Sequence, residues 1–173
     1  EEDPQTRAKF MTFVVAGGGF SGVETVGEIN DFVRESVENF YRNIDGKKIR
    51  MILVSSADGI LPEVGETLGQ FAFESLKKAG VEIITKTKVV DCGEDFVIFD
   101  NNEKIPCMTI IWAGGIAMDP VISSLDCKHD IKGRILVNDY LQIPDKKNVY
   151  ALGDCASILD KNTGNLYENT RAN

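Results

Sequence analysis

Three glycines, Gly17, Gly19 and Gly22, stand at the spacing G-x-G-x-x-G within Ala16-Gly-Gly-Gly-Phe-Ser-Gly22. Glycines are common, so the spacing alone is weak; the context carries it. A β-prone run, Phe10 to Ala16, leads into the glycines, and an amphipathic helical pattern opens on them. In that setting Gly17 permits a tight turn, Gly19 lets the backbone approach a ligand, and Gly22 lets the helix pack closely on the strand. The backbone N–H groups of Gly17, Gly18, Gly19, Phe20, Ser21 and Gly22, with the positive end of the helix dipole, would hold an anion. The chemistry predicted is capture of the pyrophosphate of a nicotinamide dinucleotide. A glycine-rich turn without a ligand is the plainer alternative.

Such a loop is usually served by an acid at the tip of the second strand, about 20 residues on, that binds the adenosine ribose. Here the second strand ends at Val54-Ser55-Ser56, and Asp58 comes only later in the loop. A serine can hydrogen-bond a ribose hydroxyl without repelling a 2′-phosphate, and no Arg follows to attract one. Ser55 and Ser56 therefore lean to NAD(H), with NADP(H) compatible.

Glu24 falls in what reads as the first helical turn. It either complements the helix dipole or meets the nicotinamide end, and the residues alone favour neither. A second segment, Val149-Tyr-Ala-Leu-Gly-Asp-Cys155, reads as an apolar strand running into Gly153-Asp154. A carboxylate there could accept hydrogen bonds from a polyol, or simply cap a turn.

The four cysteines, Cys92, Cys107, Cys127 and Cys155, include no C-x-x-C pair, and His129 is the sole histidine. That predicts no metal site and no disulfide framework, only buried or half-buried thiols.

These groups need elements to position them. Val23, Val26, Ile29, Val33, Val37, Phe40 and Ile44 recur at steps of three and four, with charges between them. Asn43 to Gly46 is a stop, and Ile49 to Val54 a second strand. Thr67-x-x-Gln70 is compatible with a capping box for a second helix. Leu68, Phe71, Ala72, Leu76 and Ala79 would form its apolar face, and Gly80 its C-terminal cap. Val81 to Thr85 is a third strand. Lys88 to Asp91, Phe96 to Phe99 and a piece near Lys104-Ile105 read as an antiparallel meander turning at Gly93 and Asn101-Asn102. Met108 to Trp112 is a further strand, ending in Ala113-Gly114-Gly115. This order predicts an α/β fold: a Rossmann-like parallel sheet with flanking helices and a small antiparallel meander. After about residue 118, helical periodicity fades. Turn signals at Asp119-Pro120, Lys132-Gly133 and Pro144-Asp145 flank two short strands, Ile135 to Val137 and Val149 to Leu152. From Leu159 on the chain reads as polar and loose.

The 173 residues carry 19 basic and 27 acidic side chains, a net charge of -8. An acidic chain with scattered cations argues against nucleic-acid binding. No apolar run approaches the length of a membrane span, and residues 1–9 are too charged for a signal peptide. The chain opens without Met and is expected to be cut from a longer protein.

Four stretches in register, Phe13 to Glu24, Ile60-Leu-Pro62, Ile111-Trp-Ala-Gly-Gly-Ile116 and Val149 to Ala156, resemble the two-dinucleotide flavoprotein reductases of the pyridine nucleotide-disulfide oxidoreductase superfamily. The likeness is strongest to type II NADH dehydrogenases. The resemblance implies that residues 8–117 are an NAD(P)H-binding domain and residues 118–173 a partial FAD-binding segment. It implies that Asp154, behind Gly153, binds FAD, that Glu24 lies near the nicotinamide, and that the backbone of Ala113, Gly114 and Gly115 lines that side. It further implies an enzyme passing hydride from NAD(P)H to FAD and electrons to an acceptor, most simply a quinone, with no catalytic side chain needed. Members often carry Glu where Ser55 stands, which leaves coenzyme choice open. A disulfide, sulfide or ferredoxin-type reductase and a non-catalytic NAD(H)-binding module are the alternatives. The expected location is cytoplasmic, with any contact to a membrane made through parts of a longer protein.

Overall fold

The computed structural model describes residues 3–166, in two compact units, Glu1–Gly115 and Ile116–Asn173. The sequence-level reading of a loose tail therefore falls partly, at residues 167–173, outside the described residues.

The first unit opens on a short helix, α1 (Pro4–Phe10). The sequence reading placed no helix here. Asp3 caps it, accepting from the Gln5 and Thr6 backbone N–H groups at 2.8 and 3.2 Å, and Pro4 supplies the fixed first-turn φ. The helix also claims Phe10, so the first strand, β1, is Thr12–Ala16 rather than starting at Phe10.

Next come α2 (Phe20–Phe40), β2 (Arg50–Val54), α3 (Glu66–Lys78) and β3 (Val81–Ile84). The meander follows as β4 (Val89–Cys92), β5 (Phe96–Phe99) and β6 (Lys104–Pro106), and the chain returns in β7 (Thr109–Trp112). The four-stranded sheet is parallel, in the order β3-β2-β1-β7. The antiparallel sheet runs β4-β5-β6.

Strand pleating sorts the core into two layers. Val14, Ile52 and Val54 face the meander and pack with Val97, Phe99 and Ile105. Val15, Met51 and Leu53 face the helices and pack with Val26 and, more loosely, Ile29, Ala72 and Leu76. Both flanking helices thus cover one face, and the meander covers the other. Right-handed crossovers dictate this arrangement. Two steps from β1 to β3 run in one direction across the sheet, and the step back to β7 runs the other way, so its connection must cross the opposite face.

Two local expectations are corrected and a third holds. α3 is capped by Gly65 at φ +83° with no side-chain hydrogen bond, so Thr67 lies inside the helix and forms no capping box. Leu68, Phe71 and Ala79 are exposed, and the packed face is Gly69, Ala72, Phe73 and Leu76. Gly69 is the reason: a Cβ there would sit 2.8 Å from the Ile60 carbonyl oxygen, so the helix turns its small residue toward that loop. Gly80, at φ +87°, does close the helix, donating to the Lys77 carbonyl at 3.0 Å.

The second unit holds a short helix, α4 (Pro120–Ser124), where a turn was expected, with Asp119 accepting from Val121 N–H at 2.8 Å. Its strands are β8 (Ile135–Val137) and β9 (Ala156–Ile158), which pair in parallel. The expected strand over Val149 to Leu152 is instead a loop touching Gln142 through one bridge at Tyr150. The strand lies beyond Gly153-Asp154, because only there does the chain meet β8. The core is Ile135, Val137, Ile143, Ala151 and Ala156.

Of the cysteines, Cys107 is buried and Cys127 and Cys155 half-buried, but Cys92 is exposed on β4, against expectation. All four are free thiols, and no cluster of metal-ligating groups occurs among the described residues.

Candidate functional site

All four parallel strands of the first unit end on the same edge, and the chain segments that leave them build the site. β1 lies between β2 and β7, and the chain leaves it for β2 and comes back only at β7. The gap beyond the ends of β1 and β7 is therefore the switch point of the sheet, where open α/β sheets take their ligands.

The glycine loop occupies that point. Gly17 has φ +131°, and its N–H donates to the Val54 carbonyl at 2.8 Å. A Cβ on Gly17 would lie 2.3 Å from the Ala113 carbonyl oxygen, and one on Gly22 would lie 1.8 Å from the Gly17 carbonyl oxygen. Strand end, helix start and the β7 exit thus touch through their backbones, and no side chain fits between them. Gly18 is equally committed: a Cβ there would lie 2.3 Å from Ser55 Oγ.

Gly19 differs from these three. Its backbone is extended (φ -80°, ψ -173°), and the nearest atom to a Cβ is a carboxylate oxygen of Glu63 at 3.5 Å. Gly19 is the N-cap of α2, so it offers no side-chain oxygen to the amides of the first turn, and no acid lies in that turn. An open approach, a helix N-terminus and no competing carboxylate on the helix itself suit an anion.

Phe20 is half-buried and Ser21 exposed. Glu24 is exposed and, with the helix starting at Phe20, opens the second turn rather than lying in the first. On the β7 side, Ala113 N–H donates to the Ala16 carbonyl at 2.7 Å. Gly114 and Gly115 are exposed beyond it, and the Trp112 indole N–H donates to the Gly115 carbonyl at 3.1 Å.

On the β2 side, Ser55 is only 2% exposed. Its hydroxyl donates to the Gly59 carbonyl at 2.7 Å and accepts from Ala57 N–H at 3.3 Å, while Ser56 is exposed at the strand tip. Beside this turn lies a cleft of about 460 Å³ with Asp58, Ile60, Phe73 and Thr85 in its wall. The sequence reading passed over two charged residues here, Glu63 and Lys86. Lys86 leaves the end of β3 and pairs with Asp58 at 2.8 Å. Its position straight after a strand ending on the site edge was the available signal.

In the second unit, Gly153 has φ +71°, open space where a Cβ would be, and begins a single tight helical turn, Gly153–Cys155. Asp154 is exposed within it, and the Cys155 thiol donates to the Leu152 carbonyl at 3.2 Å.

The sequence profile of the family described as pyridine nucleotide-disulphide oxidoreductase matches residues 2–172. A probable NADH dehydrogenase of Dictyostelium discoideum is 30% identical over 158 residues, covering 91% of this chain and 35% of that protein. The type II NADH:quinone oxidoreductase of Mycobacterium tuberculosis is 33% identical over 164 residues, covering 90% and 35%. The chain thus spans about a third of the length of the curated relatives it matches. Among solved structures, NDH2 of Plasmodium falciparum in complex with NADH superposes with a TM-score of 0.79 at 24% identity, covering 91% of this chain and 34% of that one.

Proposed function

The chain belongs to the pyridine nucleotide-disulphide oxidoreductase family, and from that premise we propose that its first unit is the nicotinamide-dinucleotide module of an FAD-dependent NAD(P)H dehydrogenase. The observation that carries the reading is the loop at the switch point. Gly17 and Gly22 are closed by backbone contact and Gly18 by the Ser55 side chain, and Gly19 is left open at the start of α2. The names of the relatives support the oxidoreductase class and, for the acceptor, a quinone.

In this reading the pyrophosphate lies against Gly19, Phe20 and Ser21, with Gly17, Gly18 and Gly22 fixing the shape of the loop. The nicotinamide end runs along Ala113, Gly114 and Gly115, within reach of Glu24. The adenosine end runs toward Ser56, with Ser55 holding the turn through Gly59. Asp154, behind Gly153, serves the FAD polyol or pyrophosphate. FAD, held there, would supply the two-electron redox chemistry between nicotinamide and acceptor. This chain's residues bind and orient; none is required to move a proton for hydride transfer. Among the described residues no helix is long and apolar enough to cross a membrane. We place any membrane contact in other parts of the full protein, which would then be peripheral to a membrane on its cytoplasmic side.

Calorimetric titration of the chain with NADH tests this, with Gly19→Val as the control. The extended backbone at Gly19 accepts any residue, and exchanging Gly for an apolar residue at an N-cap costs about 1 kcal/mol, roughly 2–4 °C in a chain of this size. The variant should therefore keep its melting temperature within a few degrees and lose NADH affinity by about tenfold or more. Equal NADH binding by both chains, or none by the parent, would overturn the reading.

A further inference from the structure

The adenosine end of the site carries a cation that no strand-two pattern announces. Where an acid would bind the ribose and repel a 2′-phosphate, the β2 tip presents Ser55 and Ser56, and Ser55 is turned inward onto Gly59. The neighbouring chain fills that gap. After β3 ends, residues 85–87 continue alongside the β2 exit. Ser55 N–H donates to Ile84 at 2.8 Å, Lys86 N–H to Ala57 at 2.8 Å, and Thr87 N–H to Ser55 at 3.1 Å. These bonds hold Lys86 in the left-handed region, at φ +53°. Lysine has no local device to favour that conformation, so the surroundings impose it. From there the side chain reaches Asp58 in the loop that follows β2, Nζ to Oδ1 2.8 Å.

That ion pair is a weak lock. Lys86 and Asp58 side chains are 68% and 80% exposed, and pairs this wet contribute little. A phosphate dianion is a better partner for an ammonium than one solvated carboxylate. Asp58 can swing into solvent, whereas Lys86 is held at its backbone.

We propose that Lys86 is a coenzyme-specificity residue, receiving the 2′-phosphate of NADPH by exchange with Asp58, so that the site accepts both NADH and NADPH. The proposal rests on the dinucleotide reading above and adds to it the ligand class at the ribose.

The test compares titrations of NADH and NADPH into the parent chain, Lys86→Gly and Lys86→Arg. Glycine suits a φ of +53°, so Lys86→Gly removes the charge without straining the fold. The expected result is NADPH affinity lowered about tenfold in Lys86→Gly, NADH affinity changed less than about twofold, and NADPH binding retained in Lys86→Arg. NADH binding with a NADPH-to-NADH ratio that Lys86→Gly leaves unchanged would overturn this proposal alone. So would a Lys86→Arg chain as weak toward NADPH as the glycine variant. Failure of both coenzymes to bind the parent chain would overturn the dinucleotide reading, and this proposal with it.

Discussion

In the first unit, Val14, Val15, Ile52, Leu53, Met51, Val97 and Phe99 are wholly buried, and they sit in two continuous layers on either face of one sheet. Among the described residues of the second unit the buried apolar core is five residues, and beside it lies a charged pair, Asp130 with Arg134, whose side chains are 3% and 5% exposed. Asp130 accepts from Arg134 N–H at 2.9 Å, from the Arg134 guanidinium at 2.7 Å and from Lys132 N–H at 2.8 Å. Apolar burial is non-directional and accumulates with area. A short, loop-rich stretch has too little area for that, and directional polar bonds then set its shape. The proposed pyrophosphate loop thus stands on a layered scaffold, and the Gly153-Asp154 turn on a pinned one.

The largest expected effect breaks the layered side. Phe99 is fully buried between the meander and the parallel sheet. Phe99→Ala should cost about 3–5 kcal/mol, read as lost hydrogen-exchange protection throughout β1, β2, β5 and β7. Protection in β8 and β9 is the control. If it collapses by the same amount, the two units share one cooperative transition and the contrast between them fails.

The next effect falls on the pinned side. Burial by itself would raise the Asp130 pKa, but the hydrogen bonds from Arg134 outweigh it and hold the carboxyl at about 2, below its ordinary 3.8. Asp130→Asn removes the carboxylate that accepts from the Arg134 guanidinium, a loss of about 2 kcal/mol, and should raise exchange at Arg134–Val137 selectively. The sign of the pH dependence follows from the lowered pKa. The stabilisation is complete above the ordinary carboxylate pKa and is lost as pH falls through about 2. Acid titration of the parent chain should therefore release β8 between about pH 4 and pH 2. Unchanged β8 protection down to pH 2 would show that the pair does not hold this unit.

The layered unit was also the more legible one. Short apolar runs placed β2, β3 and β7, turn residues bounded the meander, and a 3.6 period placed α2, each within a few residues, because the parallel strands are buried on both faces and α2 on one. The α3 face was misread because its closest contact is Gly69, and a glycine is silent in a hydrophobic pattern. In the second unit, Val149 to Leu152 has the better strand composition, yet Ala156–Ile158 pairs with β8. There, tertiary pairing overrides propensity. Within the site, the glycines and the Ala113 exit follow from spacing. The Gly18–Ser55 contact and the left-handed Lys86 do not, since both are set by how adjacent strand exits lie side by side.

The smallest effect sharpens the contrast from the other direction, by removing a polar pair from the layered unit. Arg50 and Glu82 lie on β2 and β3 at the end of the sheet away from the glycine loop. They are joined by two bonds of 2.9 and 2.7 Å, with side chains 44% and 45% exposed. The hydrogen bond from Arg50 lowers the Glu82 pKa, so whatever the pair contributes is present at neutral pH and fades as pH falls below the ordinary carboxylate range. The geometry is bidentate, which favours the pair, but solvent screens it. A double-mutant cycle with Arg50→Ala and Glu82→Ala should return a coupling of about 0.5 kcal/mol, smaller again at high salt. The sheet beneath it is already held by Met51, Ile52 and Leu53, so a pair of better geometry than many has little left to determine. A coupling as large as the loss in Asp130→Asn would mean that polar pins matter equally in both units, and burial would no longer explain why one reads as layers and the other as loops.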